Sequence, residues 1–297
     1  MQFRIAGMCG LLLLLNSPIA LFASEMTQIR IPQPRSPHDT SHLYFTELLQ
    51  KALAKAANGR ELPQLVTTMP FATERMVREL RAGRTIDIFW LGGSRERARD
   101  LLVVPIPLER GLLGYRQFII RKERVAEFDS INTVQDLAHL KACQGAQWAD
   151  TDVLRAAHLN LITSVNYESL FKQLSAGRCD YFPRGFNEAK AELARRAALY
   201  PDLMVYEPLI LHYPFAAYFF VHKDNKVLAL WLQEGLEKMI DDGELLAHMQ
   251  QHEHTSRAFP LSNVNVNRIL LIPNYYLPNF SNQEDMRYWF QPSDFRR

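Results

Sequence analysis

Beyond the first two dozen residues, apolar and polar positions follow two alternating rhythms. Met26 to Pro32 (MTQIRIP) alternates with a period of two, the pattern of a strand with one face on a core. Ser41 to Ala57 (SHLYFTELLQKALAKAA) repeats its apolar residues every three or four positions, the pattern of a helix. Leu62 to Met69 reads as a second strand, Thr73 to Ala82 as a helix with Gly83 as its stop signal, and Ile86 to Trp90 (IDIFW) as a third strand. Strands alternating with helices imply an α/β architecture, in which a parallel sheet is covered on both faces.

The rhythm breaks over residues 101 to 122, where LLVVPIPLERGLLGYRQFIIRK gives two extended apolar pieces with no helix between them. It then resumes. Thr133 to Lys141 is predicted helical, Cys143 to Trp148 extended, Thr151 to His158 helical, Leu161 to Val165 extended, Tyr167 to Ala176 helical and Cys179 to Phe182 extended. A second α/β unit therefore spans residues 122 to 210, followed by another helix-free stretch, PFAAYFFVHKDN, and a long amphipathic pattern from Val227 to His252. Two such crossings are what a chain makes when it leaves one lobe, builds a second and returns to finish the first. The tail adds one more extended piece, RILLIPNYYLPNF, and an aromatic, charged end expected to pack on the first lobe. There is no internal repeat at solenoid spacing and no low-complexity tract.

Composition narrows the setting. The 297 residues are 47% hydrophobic, enough for one or two well-buried domains. Residues 1 to 23 (MQFRIAGMCGLLLLLNSPIALFA) carry one early positive charge, an apolar run, a breaker at Asn16-Ser17-Pro18 and a small residue at Ala23, the layout of a secretory signal peptide cleaved before Ser24. The unbroken run from Ile5 to Leu15 is shorter than the roughly 20 residues that span a bilayer. Cys9 precedes that run, so it is not placed like a lipidated cysteine. Loss of the leader removes Arg4 from the 34 basic residues, and the 33 left face 32 acidic ones. Near-neutrality argues against a nucleic-acid partner. With a leader, no lipidated cysteine and no later segment apolar and long enough to cross a membrane, the expectation is a soluble, periplasmic protein, taken as a monomer. Cys143 and Cys179 remain, and an even pair in an oxidising compartment suggests a disulfide, the alternative being two buried thiols.

Four stretches, taken in order, resemble the type 2 periplasmic solute-binding proteins, particularly the family 3 group to which many polar amino-acid receptors of ABC transporters belong. They are IDIFWLGGSRER, GLLGYRQFIIRK, LSAGRCDYF and LQEGLEKMIDDGELLAHMQ. The resemblance covers most of residues 26 to 253. It implies an α/β, two-lobed type 2 periplasmic binding protein fold, each lobe a mostly parallel sheet flanked by helices, joined by two hinge strands. Lobe 1 would be residues 24–118 with 213–297, and lobe 2 residues 119–212. Such lobes close over a small molecule, and the partner is a membrane permease or a membrane sensor, with no cofactor. The resemblance also puts Cys143 and Cys179 at the starts of neighbouring strands of lobe 2, where a structural bridge away from the cleft is plausible.

Residue by residue, Ser94 and Arg97 in GGSRERARD match the group's hydroxyl and its carboxylate-binding arginine, whose planar fork grips a carboxylate through two parallel bonds. They read equally as a helix N-cap and a solvated first-turn arginine, with Arg95 and Arg99 close enough to be confused with Arg97. Trp90 is expected as an aromatic wall, with Phe89 on the other face, and Tyr115 as a second wall. In QWADTDVL, Trp148 and Thr151 are candidate contacts from lobe 2, while Asp150 would repel an anion and suits a helix cap. Asp180 reads as structural. Where the group places an ammonium-binding aspartate, this chain has Pro183-Arg184-Gly185. Arg184 therefore points towards an acidic group on the solute, or else forms a surface ion pair with Glu188.

Enzyme classes find little support. The chain has no Gly-x-Ser-x-Gly, His-Glu-x-x-His or phosphate-loop motif. His248, His252 and His254 cluster in HMQQHEH, where a solvated helix end is the expected role and a metal site the remote one.

Overall fold

The computed structural model describes residues 26–69, 72–263, 266–280 and 283–295, so the expected leader, residues 1 to 23, lies outside the described residues. The chain begins with β1 (Gln28–Ile31), α1 (Thr40–Lys55), β2 (Gln64–Thr67), α2 (Thr73–Arg81), β3 (Ile88–Gly92), α3 (Arg95–Asp100) and β4 (Leu102–Val103). It continues through β5 (Tyr115–Arg121), α4 (Val125–Asp129), α5 (Val134–Ala138), β6 (Lys141–Gly145), α6 (Thr151–Ala156), β7 (Asn160–Ser164) and α7 (Tyr167–Ser175). It ends with β8 (Tyr181–Gly185), α8 (Ala189–Ala194), β9 (Leu203–His212), β10 (Ala217–Val221), α9 (Lys226–Asp241), α10 (Glu244–Gln251) and β11 (Arg268–Leu271).

Two lobes result. In the first, β1 pairs in parallel with β2, and β10 lies antiparallel between β3 and β4. The second is built on a six-stranded sheet in the order β11-β9-β5-β8-β6-β7, in which β6, β7 and β8 run parallel and β5 runs antiparallel to β8 and β9. Residues 104–114 lead from β4 into β5, and residues 213–216 lead from β9 back to β10.

The periodicities explain most of these elements. Helix α1 buries Tyr44, Phe45, Leu48, Leu49, Ala52 and Leu53 along one stripe, and Asp39 caps it by accepting from the Ser41 N–H. Its partner α9 approaches closely because of Gly235, where a Cβ would stand 1.9 Å from the Ala52 carbonyl oxygen. The pattern from Val227 to His252 reads as continuous, yet it holds two helices. Gly243, at φ 79°, adopts the left-handed conformation that ends α9 and starts α10.

Strand β9 is absent from the sequence reading, and its composition shows why. Pro208 interrupts YEPLIL and has no N–H to give to a ladder. The register of β9 on β5 accordingly shifts between Gln117, opposite Ile210, and Phe118, opposite Tyr206. The extended tail piece contributes β11, which pairs with β9 rather than with a first-lobe strand. The aromatic end beyond it returns to the junction: Trp289 is buried, and Phe295 packs against Tyr115 with ring centroids 4.4 Å apart.

Cys143 in β6 and Cys179 just before β8 are joined by a disulfide with their Cα atoms 5.5 Å apart. Both are fully buried in the apolar cluster that α7 makes with Ile119 and Phe182. Among the described residues, no helix is long and apolar enough to cross a membrane.

Candidate functional site

A cleft partly open to solvent lies where the ends of β1, β3 and β8 meet the start of α1 and the two connecting segments. Its first-lobe wall is aromatic: Trp90 stacks on Phe45 with centroids 5.5 Å apart and meets the His42 ring edge-on at 5.6 Å. Phe89 lines the cleft as well, so the expected split of Phe89 and Trp90 between opposite faces is not complete where β3 ends.

Helix α3 brings an arginine to the lining. Ser94 caps it, accepting from the Arg97 N–H at 3.2 Å, which fixes the first turn. Arg97 is 9% exposed and lines the cleft, whereas Arg95 and Arg99 are exposed to solvent. Its Nη1 donates to the Gly92 carbonyl and its Nη2 to the Gln147 carbonyl, both at 2.9 Å. Burial draws its pKa down, with Glu74, Asp150 and Glu96 opposing that from a distance. Ser94 is thus a cap and not part of the lining.

The second-lobe wall is a chain of alternating charges. Arg184 holds Glu192 through two 2.7 Å bonds and Glu188 at 2.9 Å, and its guanidinium lies 4.6 Å from the Trp148 ring. Glu188 also accepts from the Gly185 N–H at 2.9 Å and stands 3.9 Å from Arg116. Arg116 pairs with Asp150 at 2.7 Å, and Asp150 accepts further bonds from Tyr213 and Gln144. Burial pushes the Glu188 carboxyl up, with Glu192 and Glu109 adding to it. Burial acts on Glu192 in the same direction, but the Arg184 fork outweighs it and holds that carboxyl at about 2.

At the mouth, Arg35 grips Asp39 through two bonds of 2.9 and 3.0 Å and lies 4.3 Å over the Tyr167 ring of the second lobe. Next to it, Ser36 donates to Glu168 at 2.6 Å, and Glu168 in turn holds Arg196. Despite burial, the Arg35 charge keeps Asp39 well below the usual carboxylate range.

Several sequence expectations change here. Arg97, Trp90, Trp148 and Arg184 are brought together in the lining, whereas Ser94, Thr151 and Tyr115 are not. Tyr115 points the other way, stacked on His212 at 4.0 Å, because neighbours on a strand face opposite sides and Arg116 takes the cleft face. Thr151 is buried and donates to the Gly145 carbonyl at 2.7 Å. Asp150 precedes α6 but makes no side-chain cap; it is the partner of Arg116. Arg184 is not a surface residue, and its two internal carboxylates remove it as an argument for an acidic solute. Asp180 pairs with Arg124 at 2.7 Å. The histidines are not a solvated helix end: His248 is 3% exposed and His254 fully enclosed, and no group of residues suited to a metal ion occurs among the described residues. Sequence reasoning missed Arg35, Asp39, Glu109 and Glu188 as lining residues, since none lies in a motif. Strand alternation alone would have found Arg116.

No protein-family model and no curated protein matches the chain. Solved structures do. An ancestral arginine-binding protein bound to arginine is 17% identical with a TM-score of 0.58, covering 77% of this chain and 99% of its own. An amino acid ABC transporter substrate-binding protein from Streptococcus pneumoniae, bound to L-arginine, is 16% identical with a TM-score of 0.57, covering 77% and 95%. An ancestral amino acid-binding protein described as a precursor of cyclohexadienyl dehydratase is 16% identical with a TM-score of 0.54, covering 76% and 95%. At these identities the likeness concerns the fold: the chain has the two-lobed α/β fold of periplasmic solute-binding proteins, among them substrate-binding proteins of amino-acid ABC transporters.

Proposed function

We propose that this chain is a periplasmic solute-binding protein whose two lobes close on a small carboxylate-bearing solute for delivery to an ABC transporter. The observation that carries this reading is Arg97. It is the one arginine of the lining for which no carboxylate partner lies within ion-pair distance among the described residues: Arg35, Arg116 and Arg184 each hold one, while the terminal nitrogens of Arg97 meet two carbonyl oxygens. A solute carboxylate is the group that its fork suits. On the second-lobe wall, two arginines serve three carboxylates, Glu188, Glu192 and Asp150, a formal excess of one carboxylate. Glu188 thereby supplies, three residues beyond Gly185, the acid that the end of β8 lacks. That arrangement favours an amino-acid-like zwitterion over a plain organic acid, and the walls of Trp90, Phe45 and Trp148 suit its apolar or flat portion.

The test is a thermal-shift screen of amino acids, organic acids and small peptides, because a solute that binds only the folded state raises its melting temperature. Arg97→Ala is expected to weaken the best solute by at least about 30-fold, the lower end of what truncating a buried charge pair costs. If no solute moves the melting temperature at millimolar concentration, or Arg97→Ala binds as tightly as the wild type, the reading is wrong.

A further inference from the structure

Beyond residue 253, where the resemblance read from the sequence ends, the chain passes once more from the second lobe to the first. On the second-lobe side β11 is held firmly. It pairs in parallel with the end of β9, and Arg268 donates to the Phe128, Asp129 and Ile131 carbonyls and to the Tyr206 hydroxyl. Ile272 continues the ladder, its N–H donating to the His212 carbonyl at 3.0 Å. The first-lobe attachment begins four residues on. The Tyr276 carbonyl accepts from the Arg95 N–H and the Leu277 carbonyl from Arg95 Nε, both at 3.1 Å, at the start of α3 and two residues before Arg97. Phe280 then meets Tyr218 of β10 edge-on with centroids 5.3 Å apart, and Arg287 pairs with Glu237 of α9 at 2.9 Å.

The span between these attachments is short and stiff. From Ile272 to Tyr276 the backbone can reach at most about 14 Å. Pro273 fixes one φ within it. Asn274 braces the turn: its Nδ2 donates to the Pro214 carbonyl of the second connecting segment at 2.8 Å, and its Oδ1 accepts from the Tyr276 N–H at 2.8 Å. In the sheet order β11 lies outside β9, so β11, β9 and β5 meet the junction side by side. Two connecting segments alone can bend and twist about one another. A third passage beside them, fixed at both ends, is stretched, compressed or sheared by most of those movements.

We propose that residues 268–280 are a strap across the junction that narrows the range of lobe orientations open to the solute-free protein. The proposal rests on the reading that the lobes move against one another to take up a solute, and it favours neither the open nor the closed form. With fewer orientations to give up on closing, less ordering entropy opposes binding. The first-lobe end of the strap sits on the helix that presents Arg97, so the restraint acts where the solute carboxylate is proposed to bind.

The test uses the purified full chain with no solute added. Spin labels on Leu43→Cys of α1 and Val165→Cys just beyond β7, both exposed and one on each lobe, report the interlobe distance by pulsed electron spin resonance. Cys143 and Cys179 are bonded to each other and take no label, and Cys9→Ser removes the third thiol. A glycine-serine insertion of about six residues after Pro273 leaves both ends of the strap attached and adds roughly 13 Å of slack. It is expected to widen the distance distribution about two-fold. The same insertion at Asn58-Gly59, a first-lobe turn where a Cβ on the glycine would meet nothing within 4 Å, is expected to leave the width unchanged. If the insertion after Pro273 prevents folding, Asn274→Ala, which removes both braces, decides by a smaller widening in the same direction. An unchanged width in the slackened or unbraced variant, or an equal widening from the insertion at Asn58-Gly59, overturns the proposal. Those outcomes leave the solute-binding reading standing if solutes still raise the melting temperature; a screen without any shift sinks that reading, while the distances still decide the strap.

Discussion

Replacing Glu192 with glutamine puts a number on the charge chain behind the cleft. Glu192 is 1% exposed and meets Arg184 through two parallel bonds of 2.7 Å. Its carboxyl sits at about 2 in the folded protein, against 4.5 for an unperturbed glutamate. At 1.36 kcal/mol for each pKa unit, that difference contributes roughly 3 kcal/mol at neutral pH. Because the folded pKa is depressed, the contribution is present above about pH 4.5 and is lost as pH falls towards 2, with about 2 kcal/mol of it gone by pH 3. Glu192→Gln puts an amide N–H against a guanidinium, and removing one partner of a buried pair costs about 3 to 5 kcal/mol, the same range. Glu188 works the other way, since its raised pKa means that keeping it ionised opposes folding, so the lower end applies. Urea denaturation at pH 7 and pH 3 measures both parts. The wild type is expected to exceed the variant by about 3 kcal/mol at pH 7 and by about 1 kcal/mol at pH 3. A gap under about 1 kcal/mol at pH 7, or one of equal size at both pH values, would refute the reasoning.

Two further outcomes follow from packing and covalent structure. The Cys143–Cys179 bridge spans a sequence separation of 36, for which chain entropy predicts about 3 to 4 kcal/mol. Cys143→Ser with Cys179→Ser should therefore melt well below the oxidised wild type, and adding a reductant should lower only the wild type's melting temperature. Gly235→Ala would place a methyl group 1.9 Å from the Ala52 carbonyl oxygen, against backbone that cannot swing away. Prying α9 from α1 should cost about 1 to 3 kcal/mol in denaturation, with no change in solute affinity, since neither residue lines the cleft.

Local pattern carried most of the fold because the elements of an α/β chain are set by local periodicity. Ser41 to Ala57 reads as a helix since its apolar stripe must be buried, and α1 buries that stripe. What failed was non-local. Strand β9 is read poorly from YEPLIL because Pro208 breaks its ladder and β5 supplies the pairing from far away in sequence. Strand β11 joins the second-lobe sheet because the end of β9 offers it an open edge, which no sequence window of the tail reveals.

The cleft shows the same division with a sharper consequence. Arg97 is legible as a lining residue because its position after a strand and a capping serine is a local fact. Arg184 is equally visible as an oddity, but its meaning is not, because a buried charge is defined by its partners. Glu188 and Glu192 stand four and eight residues on, where a helix reading would place both on the solvated face, yet α8 turns both inwards. With them in place, an arginine that suggests an anionic solute becomes part of a wall with a carboxylate to spare. The charge proposed for the solute therefore rests on pairings that fold topology creates: Arg97 without a carboxylate partner on one side, and three carboxylates served by two arginines on the other.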